Sequence, residues 1–410
     1  MTPVYLTKLF KAVVSLCQWF FLACCVGAIA GVGSAVLLAA LDGATGWREA
    51  HEWAIGLLPL GGWVSSWVYQ RWGQSVEAGN NLLLEEIHSP TAIIPLRMAP
   101  IVLLGTTLTH LFGGSAGREG TALQMAASLS DSLTPIFRLK ANHRRMLLMA
   151  SLSGGFASVF GTPLAGTVFG LEVVTIGTIH HGALFPCLMA AMVGDRVTLS
   201  LGLHHTVYRH AASVPVLTPV TLMSAIAAGI IFGWTAMAFA TLTHQITGFF
   251  KSRIVYAPER TAIGGFIVAG IVLAIGTTTY SGLGIATIVR AFEEPLPIWD
   301  WVGKMGLTAV TLGSGFKGGE VTPLFFIGAT LGNALSSVLA LPLPLLAGMG
   351  FVAVFGGAAN TPIAATLMGI ELFGAESGVF MAIACVMSYL CSGSTGIYRS
   401  QRLAAGKHPD

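Results

Sequence analysis

Charge is what this chain has least of. Of 410 residues only 10% are Asp, Glu, Lys or Arg, 18 acidic and 21 basic, against about a quarter in ordinary soluble domains. A soluble globule of this size needs a charged coat, and this composition cannot supply one. Cysteine is sparse as well. The six cysteines, at 17, 24, 25, 187, 385 and 391, form no CxxC pair, have no histidine at ligand spacing and sit in apolar surroundings. That excludes a disulfide framework and a zinc site and leaves small packing residues. HExxH, GxSxG and an Asp pair at membrane depth are all missing, which argues against an intramembrane protease or a lipid-modifying enzyme. No metal and no cofactor is expected. The net charge of +3 gives no nucleic-acid surface, because the basic residues lie at segment ends and not in a patch. Residues 2–11 are too polar for a cleaved signal peptide.

What is present is apolar mass. Hydrophobic residues make up 54% of the chain, glycine contributes 51 residues, and the mean hydropathy is +0.76. The bilayer must be part of the solvent. Apolar stretches run over 12–40, 54–70, 98–113, 146–170, 182–203, 214–243, 262–277, 302–312, 322–340, 343–357 and 362–390, the first read as a span followed by a short turn. A straight crossing needs about 20 residues, and several stretches are shorter or glycine-interrupted. Broken and tilted helices follow, and backbone freed at a break must be buried in protein or line a cavity. Lys8 and Lys11 precede the first span, with Asp42, Glu49 and Glu52 after it. Arg138, Lys140, Arg144 and Arg145 share one loop, Lys251, Arg253 and Arg260 another, and Arg399, Arg402 and Lys407 lie near the end, while Glu293, Glu294 and Asp300 form an acidic loop. The excess of Lys and Arg on one side places both termini and the basic loops in the cytoplasm.

The chain repeats itself. Thr162-Pro163-Leu164-Ala165 through Gly170-Leu171-Glu172 parallels Thr361-Pro362-Ile363-Ala364 through Gly369-Ile370-Glu371, and Gly117-Arg118-Glu119-Gly120-Thr121 parallels Gly318-Gly319-Glu320-Val321-Thr322. Both offsets are about 200 residues, as in transporters built from two repeats with the substrate site at their interface near the midplane. The expected organisation is a single transmembrane domain, 1–410, of two halves, 1–205 and 206–410, with no cytoplasmic regulatory domain.

Each half places one glutamate in a glycine-rich break. The break at 113–121 opens a helix, and a helix start offers free N–H groups and the positive end of a dipole, which together bind anions. Glu119 there can fill such a site when ionised and leave it when protonated, making it both gate and proton carrier; capping the helix is the plainer role. Glu320 occupies the second break, and ionisable residues at membrane depth are costly and usually functional. Lys317 could neutralise an entering anion, pair with Glu320 or face the cytoplasm. In a third break, Asn80 and Asn81 read either as a helix N-cap or as amide donors to a halide-sized anion. Glu172 and Glu371 end equivalent helices and read as structural. The histidine pairs 180–181 and 204–205 read as interfacial loops, and Tyr398 alone as an aromatic-belt residue.

These breaks resemble the CLC family of anion channels and proton-coupled antiporters. Gly117-Arg118-Glu119-Gly120-Thr121 is similar to the family's GxEGP motif with Thr for Pro. Gly319-Glu320-Val321-Thr322-Pro323 is similar to GxFxP with Val for Phe. The asparagine break stands where chloride members carry GSGIP, and Tyr398 where the family has its inner anion-coordinating tyrosine. Asn81 holds the chloride-coordinating serine position, Val173 replaces the proton-relay glutamate of chloride/proton exchangers, and Glu320 takes the central GxFxP position. That pattern resembles the fluoride-specific branch.

The resemblance implies an all-α polytopic membrane protein with the CLC-type inverted repeat. It implies a fluoride/proton antiporter in a bacterial inner membrane, a secondary active transporter and not an enzyme, a homodimer with one pathway per subunit. A chloride channel or chloride/proton exchanger is the alternative. Glu119 is then the gating glutamate and Glu320 a proton-linked one. The anion site draws on Asn81, Gly117, Arg118, Gly120, Val321, Thr322, Phe326 and Tyr398, with Asn80, Leu84 and Lys317 beside it. Phe326 matches a ring whose edge faces fluoride, and Leu84 stands at the partner aromatic position, where Phe112 or Phe325 could compensate.

Overall fold

The computed structural model describes residues 3–208, 214–404, 406 and 407, and side chains from Val13 onward. The side chains of Lys8 and Lys11, and both termini, lie outside the described residues. Helices in the first half are α1 (Pro3–Ala50), α2 (Leu58–Trp72), α3 (Asn80–His88), α4 (Met98–Leu111), α5 (Glu119–Asp131), α6 (Leu133–Ile136), α7 (Ala141–Phe160), α8 (Pro163–Glu172) and α9 (Leu184–Ser200). The second half holds α10 (Pro219–Arg253), α11 (Ala257–Ile275), α12 (Ile285–Arg290), α13 (Asp300–Gly313), α14 (Val321–Leu335), α15 (Leu343–Ala359), α16 (Pro362–Phe373) and α17 (Gly378–Cys391). One two-residue parallel pair, β1 (Thr175–Ile176) with β2 (Arg402–Leu403), ties the tail to the α8–α9 loop. Among the described residues four stretches, 13–50, 181–200, 219–253 and 257–275, are long and apolar enough to cross a membrane, and shorter apolar helices fill in between. The architecture is that of an all-α polytopic membrane protein with broken helices.

The sequence places a turn after residue 40, but α1 runs on to Ala50. Gly43 and Gly46 lower helix propensity without forbidding it. Leu41 and Ala44 stay buried, so packing carries the extra turns to His51. The stretch 146–170 is two helices. Gly161, in the left-handed region at φ 71, ends α7, and Pro163 opens α8 at a first-turn position where its missing N–H costs nothing. Asn360, at φ 57, and Pro362 do the same between α15 and α16.

These two helix starts trade caps. Leu164 and Ala165 N–H donate to the Glu371 carboxylate at 2.9 and 2.8 Å. Ile363 and Ala364 N–H donate to Glu172 at 3.1 and 2.8 Å. Each carboxylate meets orphan donors and the positive helix end in apolar surroundings, which explains both glutamates without a transport role. Close backbone approach holds α14 to α15: a methyl added at Gly328 would sit 2.0 Å from Gly350 O, and one at Gly332 2.1 Å from Leu346 O. Small residues permit that contact between membrane helices. A stack of buried rings, Phe325 on Phe351 at 4.0 Å and Phe156 on Phe169 at 4.3 Å, fills the centre.

Candidate functional site

Two glycine breaks meet in the middle of the molecule. Gly117 N–H donates to Gly319 O at 2.6 Å, and Gly319 N–H returns to Gly117 O at 2.7 Å. This antiparallel bridge satisfies backbone groups that a break at membrane depth would otherwise strand. It also sets the starts of α5 and α14 beside each other. Glu119 is the first residue of α5 and only 1% exposed. Its Oε1 accepts a hydrogen bond from the Thr322 hydroxyl in the first turn of α14, and its Oε2 has no hydrogen-bond partner among the described residues. A methyl at Gly117 would lie 2.6 Å from Oε2 and one at Gly319 2.8 Å. The carboxylate is thus folded over the bridge, in space that exists because both residues lack a Cβ. A negative group lodged between two helix starts occupies the place those starts make for an anion.

Glu320 stands at the N-cap position of α14 without a side-chain capping hydrogen bond and is half-buried, with Arg399 a charge that acts on it. Tyr398 is buried, so the membrane-belt reading of that residue gives way: its ring is enclosed and lies within range of the charges of both Glu320 and Glu119. Val321 is buried at the start of α14. Lys317 does not pair with Glu320. Its Nζ lies 4.0 Å from the Tyr69 ring centroid, in a separate cavity of ≈ 790 Å³ shared with Glu77, Lys251 and Arg260.

The asparagines separate. Asn81 Oδ1 accepts from Ser400 N–H at 3.0 Å and so holds the tail. Asn80 faces inward: a methyl on Gly120 would lie 2.9 Å from its Nδ2, and its Oδ1 is buried without a partner. Asn80 lines a cavity of ≈ 10 Å³ with Leu83, Leu84, Leu123, Leu152, Phe169, Val173 and Tyr398, about the room one water needs. Phe169, absent from the sequence-based site, lines this cavity together with the Tyr398 ring. Phe326 is elsewhere. Its ring packs edge-on to Tyr280, and Lys304 Nζ lies 5.3 Å from its centroid. Phe325 is stacked on Phe351 and Phe112 lies against Gly61, and neither lines the cavity beside Leu84.

A model of the voltage gated chloride channel family matches residues 61–393. The chain belongs to this family, the CLC proteins. It is 54% identical over 397 residues to a protein of Pseudomonas syringae pv. tomato named chloride/fluoride channel protein, covering 95% of this chain and 88% of that one. Among solved structures, the crystal structure of a CLC-type fluoride/proton antiporter superposes with a TM-score of 0.91 at 35% identity, over 98% of this chain and all of that one. A slow cyanobacterial Cl−/H+ antiporter, at 22% identity and a TM-score of 0.80 over 93% and 96%, shares the fold.

The CLC elements carrying the site are also pinned at their far ends. Arg144, buried at 5%, donates to Asp131 at the end of α5 from Nε at 2.8 Å and Nη2 at 2.7 Å. Its Nη1 donates to Glu86 of α3 at 2.8 Å. Arg144 is therefore an internal tie and not one of the surface charges of its loop. One guanidinium sets the spacing of the helices that bear Asn80 and Glu119. Lys304 and His110 carry a signal in the sequence, a single charge and an imidazole inside apolar runs; Arg144, in a basic cluster, carries none.

Proposed function

We propose that this CLC protein exports fluoride in exchange for protons. The observation that carries the reading is the Glu119 carboxylate lodged between the starts of α5 and α14 and held by Thr322. An ionised Glu119 competes with an anion for the same donors. A protonated Glu119 gives up that competition and releases the place to fluoride, so anion and proton movements alternate. Asn80 supplies an amide donor next to Gly120, and Phe169 presents an aromatic ring, positive at its edge, to the small apolar cavity. A cavity of this size excludes large anions more than small ones. Val173 offers no proton group there, and Glu320 takes the proton-linked part. The identity to a chloride/fluoride channel protein and to a fluoride/proton antiporter supports the substrate pair.

The same proposal places the protein in a bacterial plasma membrane with both termini cytoplasmic. It works as a homodimer with one pathway per subunit. Residues 1–205 and 206–410 are its two repeats, a division supported by the Gly117–Gly319 bridge and the exchanged caps of Glu172 and Glu371. The second reading is a chloride route, favoured by the first word in the name of the Pseudomonas syringae relative. Halide efflux from vesicles holding the purified protein separates the two. Fluoride efflux far above chloride efflux is expected, and comparable rates for both would overturn the fluoride reading.

A further inference from the structure

A cavity of ≈ 640 Å³ opens among α1, the loop before α12 and Arg118. Its floor is crowded with donors. A methyl on Gly113 would lie 3.6 Å from Arg48 Cδ and 3.9 Å from Ser281 Cβ, and one on Gly282 2.2 Å from Arg48 Nη1. Arg48 therefore lies across Gly282 beside Ser281. Beneath them Lys304, wholly buried, donates to the carbonyls of Tyr280 and Gly282 at 3.0 and 2.7 Å. Arg48, Arg118 and Lys304 are close enough together that all three charges act on one imidazole, the buried His110.

Acceptors do not match this supply. Ser281, 3% exposed, has an unpartnered hydroxyl on the cavity wall, and Arg118 Nε and both His110 nitrogens are unpartnered too. Among the described residues one carboxylate reaches the floor cations, Glu49 at 3.4 Å from Arg48 Nη2 and itself 67% exposed, and Arg48 Nη1 has only a long bond, 3.5 Å, to the His110 carbonyl. Asp42 and Glu52 stand on the same wall, both exposed. Native interiors leave few buried donors unmet, and Arg48 and Arg118, both half-buried above the buried Lys304, need a counter-charge. A small anion supplies both.

We propose that the floor of this cavity is a second anion station, holding one halide-sized monovalent anion among Arg48, Arg118 and Ser281. It is distinct from the place that the Glu119 carboxylate fills. The inference rests on the anion-transport reading for its purpose: an anion that has passed Glu119 pauses here before leaving. Its existence is a matter of binding and is testable without transport.

The test is bromide, located by anomalous scattering in crystals of the full-length protein grown over a series of bromide concentrations, with fluoride/proton exchange measured separately on the same preparation. A peak among Arg48, Arg118 and Ser281 is expected, with Ser281→Ala raising the half-occupying bromide concentration about tenfold, as loss of one hydrogen bond to a charged ligand does. Arg48→Gln is expected to abolish it. Ser281→Ala removes one oxygen and leaves the fold a gentle change, so a collapse of Arg48→Gln would not end the test. No peak in a protein that exchanges fluoride for protons overturns the station and leaves the transport reading standing. A peak unmoved by Ser281→Ala is an adventitious ion only and also overturns it. A sensitive peak in a protein with no exchange keeps the station and sinks the transport reading.

Discussion

Gly117→Ala puts the gate geometry under direct strain. Gly117 is outside the left-handed region, so its backbone accepts alanine. The new methyl meets Glu119 Oε2 at 2.6 Å, Pro323 Cδ at 2.9 Å and Gly319 O at 3.0 Å. The closest of these is the far end of a rotatable side chain, so the carboxylate moves before the backbone does. Overpacking of this kind costs about 1–3 kcal/mol, which lowers the population of the lodged carboxylate roughly 5- to 150-fold. With Glu119 displaced, anions cross without waiting for it. Fluoride efflux is expected to outrun proton uptake, and the coupling ratio to fall. Fluoride and pH electrodes reading the same vesicle suspension measure both fluxes. Gly182→Ala, where an added methyl meets nothing within 4 Å, is the control. A folded Gly117→Ala protein with unchanged coupling and rate would refute the claim that Glu119 gates from over the glycine bridge.

Three further substitutions separate roles. Asn80→Ala is expected to slow fluoride transport more than Asn81→Ala, whose side chain holds Ser400 N–H and is expected to cost about 1 kcal/mol of stability; equal effects on flux would place the tail asparagine in the pathway. Arg144→Ala strips the counter-charge from buried Asp131 and Glu86 and is expected to cost about 3–5 kcal/mol, read as a lower melting temperature in detergent; a wild-type melting curve would show that the tie is dispensable. Glu320→Gln is expected to slow proton and fluoride fluxes together, and normal exchange would leave Glu119 as the sole proton-bearing glutamate.

Much of this is legible in the sequence alone. Glycine breaks at membrane depth have few uses, and two of them at equal offsets located the centre of the molecule. Thr162-Pro163 and Thr361-Pro362 marked helix starts because proline belongs in a first turn. Other features are matters of which way a side chain turns. Adjacent asparagines differ by about 100° on a helix, so choosing Asn80 over Asn81 required the fold. Phe169 sits in an apolar run like any packing residue, and only the approach of α8 to α3 makes it part of a cavity. Arg144 counts as a loop charge until Asp131 and Glu86, 13 and 58 residues away in sequence, close around it. Helix α1 outruns the turn that the sequence suggests because burial of Leu41 and Ala44 outweighs two glycines.

Fluoride-driven proton movement tests the central claim most directly. Vesicles containing the purified protein, loaded with fluoride and clamped at zero membrane potential, are expected to take up protons as fluoride leaves down its gradient, with the pH change abolished in Glu119→Gln. Fluoride loss from wild-type vesicles with no proton uptake would contradict the account, as would proton uptake that survives in Glu119→Gln.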